Sequence, residues 1–270
     1  MSKQGANGNL NPYTSNPEQW PPPIDLLIVG GGGAGPYQPL GGDTSGGGGG
    51  QVLLFRNFIP PIGSSSVVTG QGGNGPSWPG LEYTSGQMKK CNSNGHPSSI
   101  FGIHAMGGIF SGSNKLAVAG HAGVYVPEFD IFGTNTSNDA APATNTGGYG
   151  WFGGGGGGAG FTPASPTQYG AGGIGGGGSG AVQGGEAGAA DGRYALIGTG
   201  GGGGSGNPGG NNGMGGGPGI IAIRYPANYA NVTSILGTFV ARQVNGYKYY
   251  RFDYGTDGNA GRNNGNTIVF

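Results

Sequence analysis

The sequence predicts an all-β fold, a glycine-rich β-sandwich or roll with polyglycine-II-like segments and essentially no helix. Three observations carry that expectation. No window sustains a helical period, and a glycine or proline interrupts almost every ten-residue block. Short runs rich in β-branched and aromatic residues recur along the chain. The 71 glycines are bunched into runs, among them Gly30–Gly33, Gly46–Gly50, Gly153–Gly158, Gly175–Gly178, Gly200–Gly204 and Gly215–Gly217.

Taken in order, the predicted strands are Ile24–Val29, Gln51–Phe55, Ser65–Thr69, Ile100–Ala105, Lys115–Ala119, Gly123–Val126, Arg193–Ile197, Ile220–Tyr225, Thr238–Arg242, Tyr247–Asp253 and Asn266–Phe270. Asp257-Gly258 reads as a hairpin turn joining the last two. Residues 1–23 are polar and punctuated by proline, ending in Pro21-Pro22-Pro23, and read as an extended arm. Residues 24–225 form the glycine-rich β domain, and 226–270 a C-terminal β-hairpin region packed on the same domain.

Glycine loses more backbone entropy on folding than any other residue and brings no side chain to a core. The runs are therefore ordered only if their backbones are hydrogen-bonded laterally. Polyglycine-II strands do this when packed side by side, and Gly153–Gly158 would then span roughly 19 Å. The alternative is that the runs are flexible linkers between strands. Composition favours a folded chain: 10% of residues are aromatic, and 11 basic residues balance 11 acidic ones.

Charge this sparse excludes strong electrostatic binding to nucleic acid or anionic membranes, since no basic cluster exceeds Lys89-Lys90. No apolar stretch approaches the roughly 20 residues of a membrane helix, so no membrane insertion is expected. The start, Met1-Ser2-Lys3-Gln4-Gly5, lacks the apolar segment of a secretory signal, which predicts synthesis in the cytosol. The lone Cys91 rules out an internal disulfide framework.

Several motifs imitate chemistry. Ile24–Val29 followed by Gly30, Gly32 and Gly35 matches the dinucleotide-binding fingerprint. That motif needs the third glycine to open a helix that holds the pyrophosphate. Here Pro36-Tyr37-Gln38-Pro39 follows, and no acidic ribose ligand stands some 20 residues on. His96, His104 and His121 match no zinc spacing. Asp253–Gly258 departs from a calcium loop at the third position, and Asn264 stands where the bidentate glutamate belongs. No catalytic constellation, metal site or cofactor is expected, and the chain does not read as an enzyme.

Recognition is read instead from aromatics on polar loops, which offer contact area at low entropic cost. Trp78, Tyr83, Tyr125, Phe129, Tyr149, Trp151 and Tyr169 are the candidate receptor or partner contacts, with Phe132 in the same setting. Packing over a lattice that lacks side chains is the other use for them. Tyr13 and Trp20 are the candidate anchoring residues of the arm.

Leu26–Val29 running into Gly30–Gly33, and Gly46–Gly50 running into Val52-Leu53-Leu54, resemble the opening of the glycine-rich domain of phage tail-fibre and other virion proteins. Val67–Gly75, Ser99–Gly108 and Gly215–Tyr225 are similar to its later strands, in the same order. Tyr247–Phe252 with Thr267–Phe270 resembles a hairpin that precedes the first glycine run in such proteins. The resemblance then implies that this hairpin pairs beside Ile24–Val29. It also implies a virion protein made in the host cytoplasm: a tail fibre or adhesin of polyglycine-II type, reading a host surface glycan or outer-membrane protein. Capsid cement, decoration or a head fibre anchored by the arm is the alternative. The implied partners are other virion proteins of tail, baseplate or capsid and further copies of the chain, with trimers common among such fibres. An ice- or surface-binding glycine helix is a third class, against which the irregular runs count.

Overall fold

A computed structural model of the protein describes residues 21–36, 45–74, 94–110, 119–133, 150–159, 170–181, 194–206, 213–253 and 266–270. These residues divide into a β-sandwich and a bundle of glycine segments growing from one end of it. The strands are β1 (Ile24–Val29), β2 (Val52–Phe58), β3 (Ser64–Val67), β4 (Ser98–Ile100), β5 (Ile103–Ala105) and β6 (Val124–Tyr125). They continue as β7 (Trp151–Phe152), β8 (Ile220–Pro226), β9 (Ser234–Leu236), β10 (Phe239–Val244), β11 (Tyr247–Asp253) and β12 (Asn266–Val269). One 3-10 turn, Pro127–Phe129, is the only helical element among the described residues.

The main sheet has the order β10-β11-β8-β1-β2, antiparallel throughout. Its central strands, Ile24-Asp25-Leu26-Leu27-Ile28-Val29 and Ile220–Pro226, are apolar on both faces because both faces are covered. One face presents Ile24, Leu26, Ile28, Ile221, Ile223, Tyr225, Tyr250 and Phe252. It packs on Val67 and Ile268 of a second sheet, ordered β3-β12-β9, and on Ile100 and Ala105 of the β4–β5 hairpin. The other face presents Leu27, Val29, Ile220, Ala222 and Tyr249 to Val126, Phe129, Phe132 and Phe152.

The glycine runs are a lattice. Gly31 donates its N–H to His96 (3.0 Å) and accepts from Gly108 (2.7 Å). Gly32 donates to Gly217 (2.9 Å) and accepts from Gly73 (2.7 Å), and Gly33 donates to Gly48 (2.8 Å) and accepts from Gly203 (2.9 Å). Three consecutive residues thus bond to six different segments. Polyglycine II does this because three residues per turn aim successive N–H and C=O groups at 120° intervals. The strand Gly200–Ser205 is a second hub: Gly202 donates to Gly154 and accepts from Gly178, while Gly203 accepts from Gly47. A methyl group on Gly32 would land on the Gly201 carbonyl, and one on Gly72 on the Gly216 carbonyl, so only glycine admits this spacing. Ser98 ties sheet to lattice: its hydroxyl donates to the Val29 carbonyl (2.6 Å) and accepts from the Gly70 N–H (2.8 Å).

Four sequence expectations need correction. Tyr247–Asp253 and Asn266–Val269 do not form a hairpin; β11 pairs with β8 and β10, and β12 with β3 and β9 in the other sheet. Nor does that pair lie beside β1, because β2 and β8 occupy both edges of β1. The hairpin partner of β11 is β10, through Asn245-Gly246 at φ 50 and 80, the positive values a two-residue type I′ turn requires. Ile100–Ala105 is two strands with Phe101-Gly102 between them at φ 53 and 75. The strained Phe101 is held by its ring, stacked on Phe58 with centroids 5.5 Å apart. Of the predicted strand Arg193–Ile197, the described residues are not strand: Leu196 donates to Gly176 and Ala195 to Gly215, threading the segment into the lattice. Lys115–Ala119 falls almost wholly outside the described residues, as does the Asp257-Gly258 turn.

Candidate functional site

The lattice runs away from the sandwich and turns back on itself repeatedly. Gly30–Pro36 leaves β1 and Ser45–Gly50 returns to β2, bonded antiparallel through Gly30 to Gln51 and Gly33 to Gly48. Gly153–Ala159, Gly176–Ala181 and Gly200–Gly206 are further outward segments. Their ends meet. Gly206 donates to the Pro36 carbonyl (2.9 Å), Gly35 to Met214 (2.9 Å), and Ala181 to Ser205 (2.9 Å). The buried Ser205 hydroxyl accepts from Ala159 and donates to Gly157 (3.3 Å), replacing a lattice neighbour with a side chain. Gly180 donates to Gly170 (3.0 Å). At least one stem of each of the connections 37–44, 160–169, 182–193 and 207–212 therefore belongs to a hydrogen-bonded set at the tip, the end of the lattice farthest from the sheets. The other stem of 182–193 joins elsewhere in the lattice, Ala195 donating to Gly215 and Leu196 to Gly176.

The chain enters the described fold at Pro21 and Pro22, both buried, just before β1. That is the opposite end. β1 followed by Gly30–Pro36 separates entry from tip by roughly 40 Å at strand and polyglycine rises. The described fold is thus bipolar, with Pro21 at the base and stems of four connections at the tip.

Sequence-predicted contact residues divide three ways. Tyr125 is 51% exposed and lies against Trp151 across the β6–β7 ribbon, ring centroids 5.4 Å apart. This pair sits at the base of the Gly153–Ala159 segment, roughly 19 Å from the tip at polyglycine-II rise. Phe129 and Phe132 are fully buried, edge-on to Tyr249 at 6.3 and 6.0 Å, which removes both from any contact surface. Trp78, Tyr83, Tyr149, Tyr169, Tyr13 and Trp20 lie outside the described residues, Tyr169 next to the stem residue Gly170.

A charged network holds the Tyr125–Trp151 ribbon to the sheet. Arg224 of β8 donates from Nε to the buried Asp25 carboxylate (2.8 Å) and from Nη1 to the Glu128 carbonyl (2.9 Å). Its guanidinium lies 4.6 Å from the Tyr247 ring centroid. Burial disfavours the Arg224 charge, but hydrogen bonds to Asp25 and Tyr249 outweigh it, so the cation is retained. Partial burial likewise pushes the Glu128 carboxyl up, and the Arg56 hydrogen bond, its own backbone and the Arg56 and Arg224 charges hold it below the usual range. The 3-10 turn is thereby fastened to β1, β2 and β8. Composition had drawn attention to scarce charge; what the sequence could not show is that Asp25, inside an apolar run, meets a cation 199 residues away.

The fold defines a class before any comparison does: an all-β protein whose second core is polyglycine backbone. A family model described as a glycine-rich domain matches residues 7–226, and the chain belongs to that family. No curated protein and no solved structure matches it. The family match ends at the last residue of β8, so β9 to β12 lie beyond it.

Proposed function

We propose that this chain is a phage virion protein, a tail fibre or adhesin that reads the bacterial surface through the connections at the lattice tip. The observation that supports this reading most is the mutual bonding of the stems at Pro36, Ala159, Ala181, Gly206 and Met214. It gathers stems of four connections at one end of the described fold, while the chain enters at Pro21 at the other, the polarity that attachment to a virion and contact with a host require. The host partner is a surface glycan or outer-membrane protein, and other virion proteins receive the base. Tyr169, adjoining a stem, is the first candidate reader. The Tyr125–Trp151 pair is a lateral contact.

Purified protein should block adsorption of the phage that carries it, and replacing 160–169 by a glycine-serine connection of equal length should abolish the block while leaving thermal unfolding unchanged. Undiminished blocking by that variant would remove the tip from the mechanism. A virion stoichiometry equal to that of the capsid protein, with no effect on adsorption, would point to capsid decoration instead.

A further inference from the structure

The sandwich carries a cleft far from the lattice tip. It opens between the β10–β11 hairpin and β9 with the segment leading into it, and its volume of about 500 Å³ is that of a small-ligand site. Register fixes its level in the main sheet: Arg242 pairs with Tyr249, Tyr249 with Arg224, and Arg224 with Asp25 near the start of β1. The cleft therefore lies toward the Pro21 end of the fold. Every residue lining it falls beyond residue 226, where the family match ends.

Its lining combines three chemistries. Alternation along β10 turns Phe239, Ala241 and Gln243 to the same face as their partners Phe252, Tyr250 and Lys248, toward the second sheet. The Phe239 ring, tilted against Phe252 with centroids 6.3 Å apart, stays 38% exposed. Asn231, Thr233 and Ser234, all exposed, join Gln243 in supplying amide and hydroxyl groups. The cations are Lys248 and, on the open edge strand, Arg242. Among the described residues no carboxylate lines the cleft. The described basic side chains are Arg56, Arg224, Arg242, Lys248 and Arg251. Arg56, Arg224 and Arg251 each meet a carboxylate, of Glu128, Asp25 and Asp253. The two that meet none among the described residues both line the cleft. In a chain whose charges balance, uncompensated positive charge is thus gathered at one place. Lys248 donates to the Tyr229 carbonyl (2.6 Å), and an ammonium has two further protons to give.

We propose that this cleft binds an acidic saccharide, a sugar chain bearing carboxylate or phosphate groups. The open Phe239 ring takes the C–H face of a sugar, the amides and hydroxyls exchange hydrogen bonds with sugar hydroxyls, and the two cations meet the anionic substituents. An apolar ligand would strand the amides and cations without partners, and a bare inorganic anion would leave Phe239 and the amides unused. The inference goes beyond recognition at the tip: it places a saccharide site on the sandwich, and it holds whether or not the chain belongs to a virion.

Binding of the full chain to an array of purified bacterial polysaccharides, acidic and neutral, tests it, with inorganic phosphate and poly-glutamate as competitors. Wild type should be retained by acidic members, less tightly as salt rises, and neither competitor should displace it at matched charge. Ala241→Glu, which sets a carboxylate on the cleft floor, should abolish retention. Arg242→Gln should weaken it about fivefold, the worth of one exposed ion pair. Both positions are exposed, so both variants should melt at the wild-type temperature. The glycine-serine replacement of 160–169 should leave this retention intact, so that failure of the tip and failure of the cleft are read separately. No retention by acidic members, equal retention by neutral ones, or full retention of Ala241→Glu would overturn the proposal. So would displacement by phosphate, which marks a simple anion site, or by poly-glutamate, which marks an acidic-peptide site.

Discussion

In the sheet, Leu26 and Ile223 sit opposite each other on β1 and β8 and fill the space between layers with side chains. In the lattice, Gly32 and Gly201 approach until no side chain fits between them, and the interior is filled by backbone. Both regions satisfy their N–H and C=O groups laterally. The sheet does so with two neighbours per strand and leaves its faces for side chains; the lattice uses six neighbours and has no faces left over. Volume errors should therefore have opposite signs in the two regions. The sheet suffers when a side chain is made smaller, the lattice when one is added.

The largest effect should come from Gly32→Ala. The added methyl would meet the Gly201 and Gly200 carbonyls, which accept from Gly217 and Gly50, and no flexible side chain is present to move aside. We expect a loss of about 4 kcal/mol or more, read from the urea midpoint. A loss below about 1 kcal/mol would mean that the lattice has slack and that the contrast with the sheet is wrong.

Arg224→Met comes next and probes the sheet side. It leaves Asp25 buried without its cation, which costs about 3 kcal/mol in comparable sites. The double variant with Asp25→Asn should recover part of that loss. Failure to recover any of it would place the cost in lost packing against Tyr247 and Phe129 instead of in the stranded charge.

A smaller effect separates the regions by pH. Burial and a hydrogen bond with Tyr250 push the Tyr225 phenol far above its ordinary value of 10.0. Below pH 10 both folded and unfolded forms keep the proton, and the stability is intact. Above it, the unfolded chain ionises first, and stability falls by about 1.4 kcal/mol per pH unit from this group. Tyr225→Phe should remove about 1 kcal/mol of the stability loss seen between pH 10 and 11 in urea titrations. An unchanged slope would show that the Tyr225–Tyr250 pair is hydrated.

Much of the sandwich was legible because its signal is local. Alternating or continuous apolar runs placed β1, β8 and β11 to within one residue, since burial on one or both faces writes itself into adjacent positions. The order of those strands was not legible: that β8 separates β1 from β11 follows from long-range pairing. Two-residue and three-residue strands such as Trp151–Phe152 and Ser234–Leu236 are too short to carry a period. The lattice was legible as glycine runs, but its registry depends on which carbonyl each N–H meets, and glycines are indistinguishable in sequence. For the same reason the aromatics near the runs could not be sorted: Phe129 and Tyr125 stand four residues apart with similar flanks, and one is core while the other is surface.

The smallest predicted effect is also the one that tests whether the lattice is uniform. Gly48 belongs to a glycine run, donates to the Ile109 carbonyl (2.9 Å) and accepts from Gly33. Sequence alone would rank it with Gly32. A methyl group built on Gly48, however, meets only the Ile109 carbonyl oxygen at 3.2 Å and its nitrogen at 3.3 Å, where a shift of a few tenths of an ångström suffices. Ile109 lies on the lattice flank with 72% of its surface exposed, so its backbone has room to give. Against that small strain stands the gain from a less flexible unfolded chain, about 0.4–1 kcal/mol for a Gly→Ala change. Gly48→Ala should therefore leave the urea midpoint nearly unchanged, within about 1 kcal/mol of wild type. A loss as large as that of Gly32→Ala would mean that the flank is as incompressible as the hub, and that six-neighbour packing extends to the surface of the lattice.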